Sequence, residues 1–197
     1  MTRWAPLATD VFDALAAEIL ARSGKGRAIV AVDGALGTGT PAFAAGLVDA
    51  LRRRSHKTFL ASLEDFHREV QKEVGTEYDV AGFGRSDYDY SLLKRALIDP
   101  FLMGGTGFQL KGFDRDRNVP FQSKWDTGPA DAVLVIEGHL LLRPELRDNW
   151  HYTAWLRSDT VAVEKEYERE ARPRITATAI FDVTDGEHPR RSFADAC

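Results

Sequence analysis

Four acidic residues, Asp33, Glu64, Glu137 and Asp182, stand directly after apolar runs, and His67 and His139 follow two of them within three residues. Carboxylate and imidazole groups so close together could take up and return protons during a reaction. Asp33 leads into Gly34-Ala35-Leu36-Gly37-Thr38-Gly39-Thr40-Pro41, a turn of the kind in which backbone N–H groups converge on a phosphate or sulfate. The spacing therefore suggests acid–base work at Glu64, Glu137, His139 and His67, and anion binding at Gly34, Gly37, Thr38, Gly39 and Thr40.

These residues need strands to present them. Leu7, Val11, Leu15 and Ile19 recur at helical spacing, so residues 7–22 read as an amphipathic helix, broken at Gly24-Lys25-Gly26. Residues 28–32 form a continuous apolar run, as expected of a strand buried on both faces of a parallel sheet. A helix is expected near 42–54, a strand at 58–63, and a helix at 91–98 stopping before Pro100. Strands at 132–136 and 153–156 follow, then a helix at 160–172 closed by Pro173 and a last strand at 176–182. Strands alternating with helices imply a doubly wound, mainly parallel α/β sheet with flanking helices. Ligands of such sheets collect at the carboxyl ends of the strands, where the four acids lie.

Composition narrows the class. The chain has 197 residues, 26 Lys plus Arg against 30 Asp plus Glu, and a net charge of −4, which argues against a dedicated nucleic-acid binder. One α/β domain spanning 1–197 is expected, with an N-terminal helix in 1–26 and the core in 27–191. The single cysteine, Cys197, leaves no intrachain disulfide and points to a reducing, cytoplasmic setting. No apolar stretch approaches the roughly 18–20 residues that span a bilayer, and the first residues do not read as a signal peptide.

The glycine turn has the layout of the phosphate-binding motif G-x-x-x-x-G-K-[ST], with Gly34 and Gly39 at the right separation. The lysine position holds Thr40 and the hydroxyl position Pro41. Proline offers neither an oxygen for magnesium nor an N–H for phosphate, although it suits the first turn of a helix. A plain strand-to-helix turn that needs glycine for its backbone angles is the alternative reading.

Other segments resemble the uridine kinase family, bacterial type. Ser62-Leu63-Glu64-Asp65-Phe66-His67-Arg68 looks like its S-x-D-D-F-[YH]-R segment, and Ser86-Asp87-Tyr88-Asp89-Tyr90 its D-Y-D-Y element. Phe113-Asp114 falls where the family has an aromatic–Asp pair near the base. Residues 137–148 are close to E-G-x-x-L-L-R-P-E-L-R-D, and residues 181–190 to the stretch after the last strand. The resemblance runs from about residue 27 to 191 and implies a P-loop nucleoside-kinase-like fold. It implies substrate contacts at Asp87, Tyr88, Phe113 and Asp114, with Glu64 at the catalytic-base position; Asp33 at its strand end, and Arg68 and Arg169 as counter-charges to an anion, are further substrate-binding candidates. The departures fall on chemistry. The lysine and hydroxyl of the turn are replaced, Glu64 stands for an aspartate, and Val183 for an asparagine. The family's arginine-bearing lid has only about twenty residues available between the strand at Trp155 and the last strand.

Phosphoryl transfer depends on positioning and on neutralising the charge of the transferred group. The sequence therefore points away from ordinary ATP-dependent transfer and towards a pocket repurposed for a small anionic or nucleoside-like molecule. Alternatives are a non-catalytic subunit in a homo- or hetero-oligomer, with Trp4 or Trp125 as anchors, and an atypical active kinase. In the last case ATP and Mg²⁺ would bind and Lys111, Lys124 or Arg115 would replace the lysine. No resident cofactor or metal, nucleic acid or membrane is expected otherwise. His139 has a second reading as a histidine hydrogen-bonded at a loop, and Glu64 and Glu137 as solvated or capping carboxylates. The 104–107 segment reads as a plain turn, and the run 164–174, with Glu168–Arg172 and Glu170–Arg174 at i,i+4, as a solvated helix face.

Overall fold

The computed structural model describes residues 6–69, 87–104 and 107–193. Trp4, Ser86, Gly105, Thr106 and Cys197 lie outside the described residues. The chain groups into two compact units, one of Met1–Ala61 with Gly128–Cys197 and one of Ser62–Thr127.

The first unit is built on the apolar runs. β1 (Ala28–Gly34) and β5 (Val133–Gly138) are buried along their whole lengths, which accounts for their lack of polar alternation. The sheet order is β2 (Thr58–Ser62), β5, β1, β6 (Tyr152–Arg157), β7 (Ala179–Asp182), β8 (Arg190–Ser192). β1 runs parallel to β5 and β6, and β6 parallel to β7, while β8 closes one edge antiparallel. Register sets Asp33 opposite both Gly138 and Trp155, and Val32 opposite Glu137, so the acids of β1 and β5 emerge at the same end.

α1 (Ala8–Ser23) buries Leu15, Ala16 and Ile19, and Gly24 ends it at φ 64°. α2 (Thr40–Arg53) begins after Gly39, whose φ of 80° suits glycine, and Pro41 sits in its first turn where no N–H is needed. Phe43 of α2 packs edge-on to Phe12 of α1 at 5.0 Å and against Phe181 of β7 at 5.1 Å, joining both helices to the sheet.

In the second unit the chain forms a 3₁₀ turn at Leu63–Phe66 and pairs His67 with Tyr88 as an isolated bridge. A helix then runs as α3 (Tyr90–Leu93), a π-helical stretch Lys94–Ile98 and α4 (Asp99–Met103). A hairpin follows, of β3 (Phe113–Asp114) and β4 (Val119–Pro120).

Three expectations need correction. The helix near 91–98 passes through Pro100 instead of stopping: proline cannot pair with the Ala96 carbonyl, and the Gln109 N–H takes that place at 2.8 Å. The 160–172 helix is confined to α5 (Lys165–Ala171), after which Arg172 turns left-handed at φ 47° and α6 (Pro173–Thr176) precedes β7, which is shorter than the expected 176–182 strand and is followed by β8. That turn breaks the i,i+4 pairing, so Arg174 pairs with Glu168 at 3.4 Å and Glu170 faces Arg143 at 3.6 Å.

β1 ends on glycine for a steric reason. A Cβ on Gly34 would lie 2.4 Å from Thr38 Oγ1 and 3.2 Å from Leu156 Cβ. Gly34→Ala should therefore lower unfolding stability by about 1–3 kcal/mol, the usual penalty for overpacking, as read by urea denaturation. An unchanged midpoint would mean the turn is looser than described.

Candidate functional site

The residues with chemistry form one cluster in each unit. In the first, the glycine turn is closed by its own groups. The Thr38 N–H and hydroxyl both donate to the Ala35 carbonyl, at 3.0 and 2.8 Å. The Thr40 hydroxyl, at the position where the resembled motif has lysine, donates to Glu137 Oε2 at 2.8 Å, with both residues buried. Gly37 and Gly39 have φ of 92° and 80°. Val161 approaches from the far side, its Cγ2 3.8 Å from where a Cβ on Gly37 would lie.

Asp33, expected among the substrate contacts, is fully buried, and both its oxygens are bonded within the protein. Oδ1 accepts from the Leu141 N–H at 3.0 Å, and Oδ2 from the Tyr167 hydroxyl in a short hydrogen bond. The Leu142 N–H donates to the same phenol at 3.2 Å. Burial pushes the Asp33 carboxyl up to about 6, against the opposing pull of the Tyr167 and Leu141 hydrogen bonds and the charge of His139. Asp33 thus ties α5 to β1 and the loop after β5. Tyr167 was hidden in the sequence by its charged neighbours, and a lone tyrosine in a Glu/Lys/Arg helix was the available signal. His139 contacts the Gly34 carbonyl through Nδ1 at 3.2 Å and Glu164 through Nε2 at 3.3 Å.

In the second unit Glu64 is the hub. Its Oε1 accepts from the Tyr88 hydroxyl at 2.6 Å, and Oε2 from His67 Nε2 at 3.0 Å and from Arg115. Burial raises the Glu64 carboxyl, but the His67 and Tyr88 hydrogen bonds, with the charges of His67 and Arg115, outweigh it and hold Glu64 below the usual carboxylate range. The Tyr88 phenol is pushed far up by its burial and by Glu64, so it stays a neutral donor. Because the carboxylate accepts a hydrogen bond from Nε2–H, a neutral His67 ring leaves Nδ1 as the nitrogen with the free lone pair.

His67 also lines a cavity of about 540 Å³ with Arg68, Arg95, Gln109, Phe113 and Trp125. Gln109 is held by Nε2 donating to the Ser123 carbonyl at 2.7 Å. Trp125 is 65% exposed. Gln109 was not named from the sequence and Trp125 only as an interface anchor, because the loop that carries them has no periodicity. Asp87 enters through its carbonyl, which accepts from the Arg68 N–H at 2.8 Å, and Asp114 Oδ1 accepts from the Arg117 N–H at 3.1 Å.

The remaining expected residues lie elsewhere. Arg169 is exposed on α5. Asp182 is bonded to Arg157 at 3.0 Å and to the Thr184 N–H at 3.0 Å. Lys111 and Lys124, candidates to replace the turn's lysine, pair with Asp65 at 3.0 Å and Asp126 at 3.4 Å, and Arg115 pairs with Glu64. Among the described residues no group of three or more His, Cys, Asp or Glu could hold a metal ion, and no helix is long and apolar enough to cross a membrane.

Both carboxylates can be tested. The folded-state value of Asp33, about 6, lies above its ordinary 3.8, so the fold binds this proton more tightly than the unfolded chain does. Its stabilising contribution is complete below about pH 4 and is lost as pH rises through about 6, by roughly 3 kcal/mol in total. Asp33→Asn should remove that slope from the stability–pH curve. A D33N protein that keeps the wild-type slope would refute the assignment. Tyr88→Phe should lower stability by about 0.5–1.5 kcal/mol by removing a hydrogen bond to a half-buried carboxylate, and should raise the pH at which Glu64 protonates, as followed by carboxyl NMR. An unmoved Glu64 titration would contradict the hydrogen bond's role.

No protein-family model matches the chain, and no curated protein matches it. Among solved structures, a possible uridine kinase from Bacillus stearothermophilus superposes with a TM-score of 0.71 at 20% identity, over 88% of this chain and 98% of that one. The YGR205w protein superposes with a TM-score of 0.56 at 11% identity, over 90% and 94%. The chain is similar to both in fold, a mainly parallel sheet with flanking helices.

Proposed function

We propose that this chain keeps a nucleoside-kinase-like fold without ordinary Mg²⁺–ATP phosphoryl transfer, and that it binds a small nucleoside-like or anionic molecule in the cavity of the Ser62–Thr127 unit. The observation that carries this reading is the 2.8 Å hydrogen bond from Thr40 to Glu137. An ATP site needs a cation and open N–H groups at that turn. Here a neutral hydroxyl faces a buried carboxylate, Pro41 has no N–H, and the Thr38 N–H is taken by Ala35. The residues present do not fit Mg²⁺–ATP. A single cationic or oxyanion-type contact is worth about 3–4 kcal/mol in a transition state, so losing several removes most of the rate.

The cavity supplies what the turn lacks. Aromatic side chains at Phe113 and Trp125 suit a planar ring, Arg68 and Arg95 suit an anionic group, and Gln109 offers a fixed amide. His67, oriented by Glu64, is the group able to move a proton to or from a molecule held there. Glu64, held low and triply bonded, acts as the positioning carboxylate. In this reading Glu137 and His139 belong to the closed turn and take no part in the reaction.

Thermal-shift titration tests the proposal. Uridine, phosphate and sulfate are the probes, with Mg²⁺–ATP as the contrasting ligand. At least one of the three should raise the melting temperature in a saturable way, a ligand at about 100 times its Kd adding roughly 2.7 kcal/mol. His67→Ala should weaken that shift, and Mg²⁺–ATP should give none. Stabilisation by micromolar Mg²⁺–ATP together with phosphorylation of uridine would show an active kinase instead.

A further inference from the structure

His139 is 3% exposed, and each of its ring nitrogens faces an oxygen that accepts. Nδ1 lies 3.2 Å from the Gly34 carbonyl, and Nε2 lies 3.3 Å from Glu164 Oε1. A neutral imidazole has one N–H and can satisfy only one of these, whereas the imidazolium satisfies both. The titratable and charged groups on the neighbouring elements are Asp33 at the end of β1, Glu137 two residues earlier on β5, Glu164 at the start of α5, and Arg143, which is buried and 3.6 Å from Glu170. The Tyr167 ring packs edge-on to His139 at 5.6 Å and adds no charge.

Glu164 stands at the N-cap position of α5 without a capping side-chain hydrogen bond, and it ends the irregular segment 158–164, whose Val161 approaches Gly37 of the turn. The segment's other ties are local or lie at exposed sites. They include a 3.4 Å hydrogen bond from the Val161 N–H to the Ser158 carbonyl and a 3.3 Å one from the Thr160 N–H to the Ser158 hydroxyl. The Asp159 N–H donates to Thr184 at 2.9 Å, at an exposed site.

We propose that His139 is a proton-operated latch: as an imidazolium it holds residues 158–164 over the glycine turn through Glu164, and on losing a proton it lets that segment go. Deprotonation leaves one of the two acceptors without a donor. Since Gly34 is fixed in β1 and Glu164 is half-exposed at the end of a short segment, the contact that breaks is the one to Glu164. The latch lies wholly within the first unit and does not depend on what the cavity binds.

NMR of the full-length chain tests this over about pH 5.5 to 8.5, the span in which imidazole side chains titrate. At the acid end both His139 ring nitrogens should show imidazolium ¹⁵N shifts, and the Val161 methyl signals should move in step as the ring loses its proton. Glu164→Ala should place the Val161 methyls, already at the acid end, where the wild type has them at the alkaline end. A ring that is neutral at the acid end, a ring that does not titrate across the span, or methyls that stay still while it titrates overturns the proposal. The wild-type titration decides the matter even if the variant does not fold.

Discussion

One hydrogen bond, from the hydroxyl at the start of α2 to a carboxylate at the end of β5, sets the character of the sheet's carboxyl edge. Thr40 and Glu137 are buried, so the hydroxyl is a donor that partly offsets the desolvation of the carboxylate. The neighbouring geometry agrees with it. Gly39 adopts a left-handed conformation just before the helix, Pro41 follows where its missing N–H does no harm, and Thr38 folds back on Ala35. At the place where a doubly wound sheet ordinarily receives its ligand, the Thr38 N–H and the Thr40 hydroxyl are bonded within the chain.

The two clusters show how environment separates residues of one chemical type. Asp33 is fully buried between two neutral donors, and its carboxyl is pushed up to about 6. Glu64 is also partly buried, yet contacts with His67, Tyr88 and Arg115 hold it low. The first therefore serves as a structural tie near neutrality and the second as a fixed negative charge that orients a histidine. This division is the physical basis for placing acid–base work at His67 in the Ser62–Thr127 unit and latching work at His139 in the other.

Much of the fold was legible in the sequence. The uninterrupted apolar runs at β1 and β5 could only be doubly buried strands, and α1 and α2 announced themselves by helical spacing. The order of the motifs pointed to the uridine kinase-like architecture. Elements of two or three residues, β3, β4 and β8, carry too little periodicity to be seen. The passage of the α3–α4 helix through Pro100 depends on the Gln109 N–H, which only the folded chain supplies. Glu64, His67, Tyr88 and Phe113 were expected as site residues from the sequence, and the structure brings the first three together by hydrogen bonds and ring contact while Phe113 lines the cavity. The pairing of Thr40 with Glu137 was not, since it joins positions 97 residues apart. Nor was the use of both His139 nitrogens, which requires the carbonyl of one strand and the cap of a distant helix.

The most direct test of the closed turn is to follow the backbone amide signals of Gly37, Thr38, Gly39 and Thr40 while Mg²⁺–ATP is added. The account predicts that these four stay in place at millimolar nucleotide. A saturable movement of the four at micromolar nucleotide, with one molecule bound per chain, would contradict it.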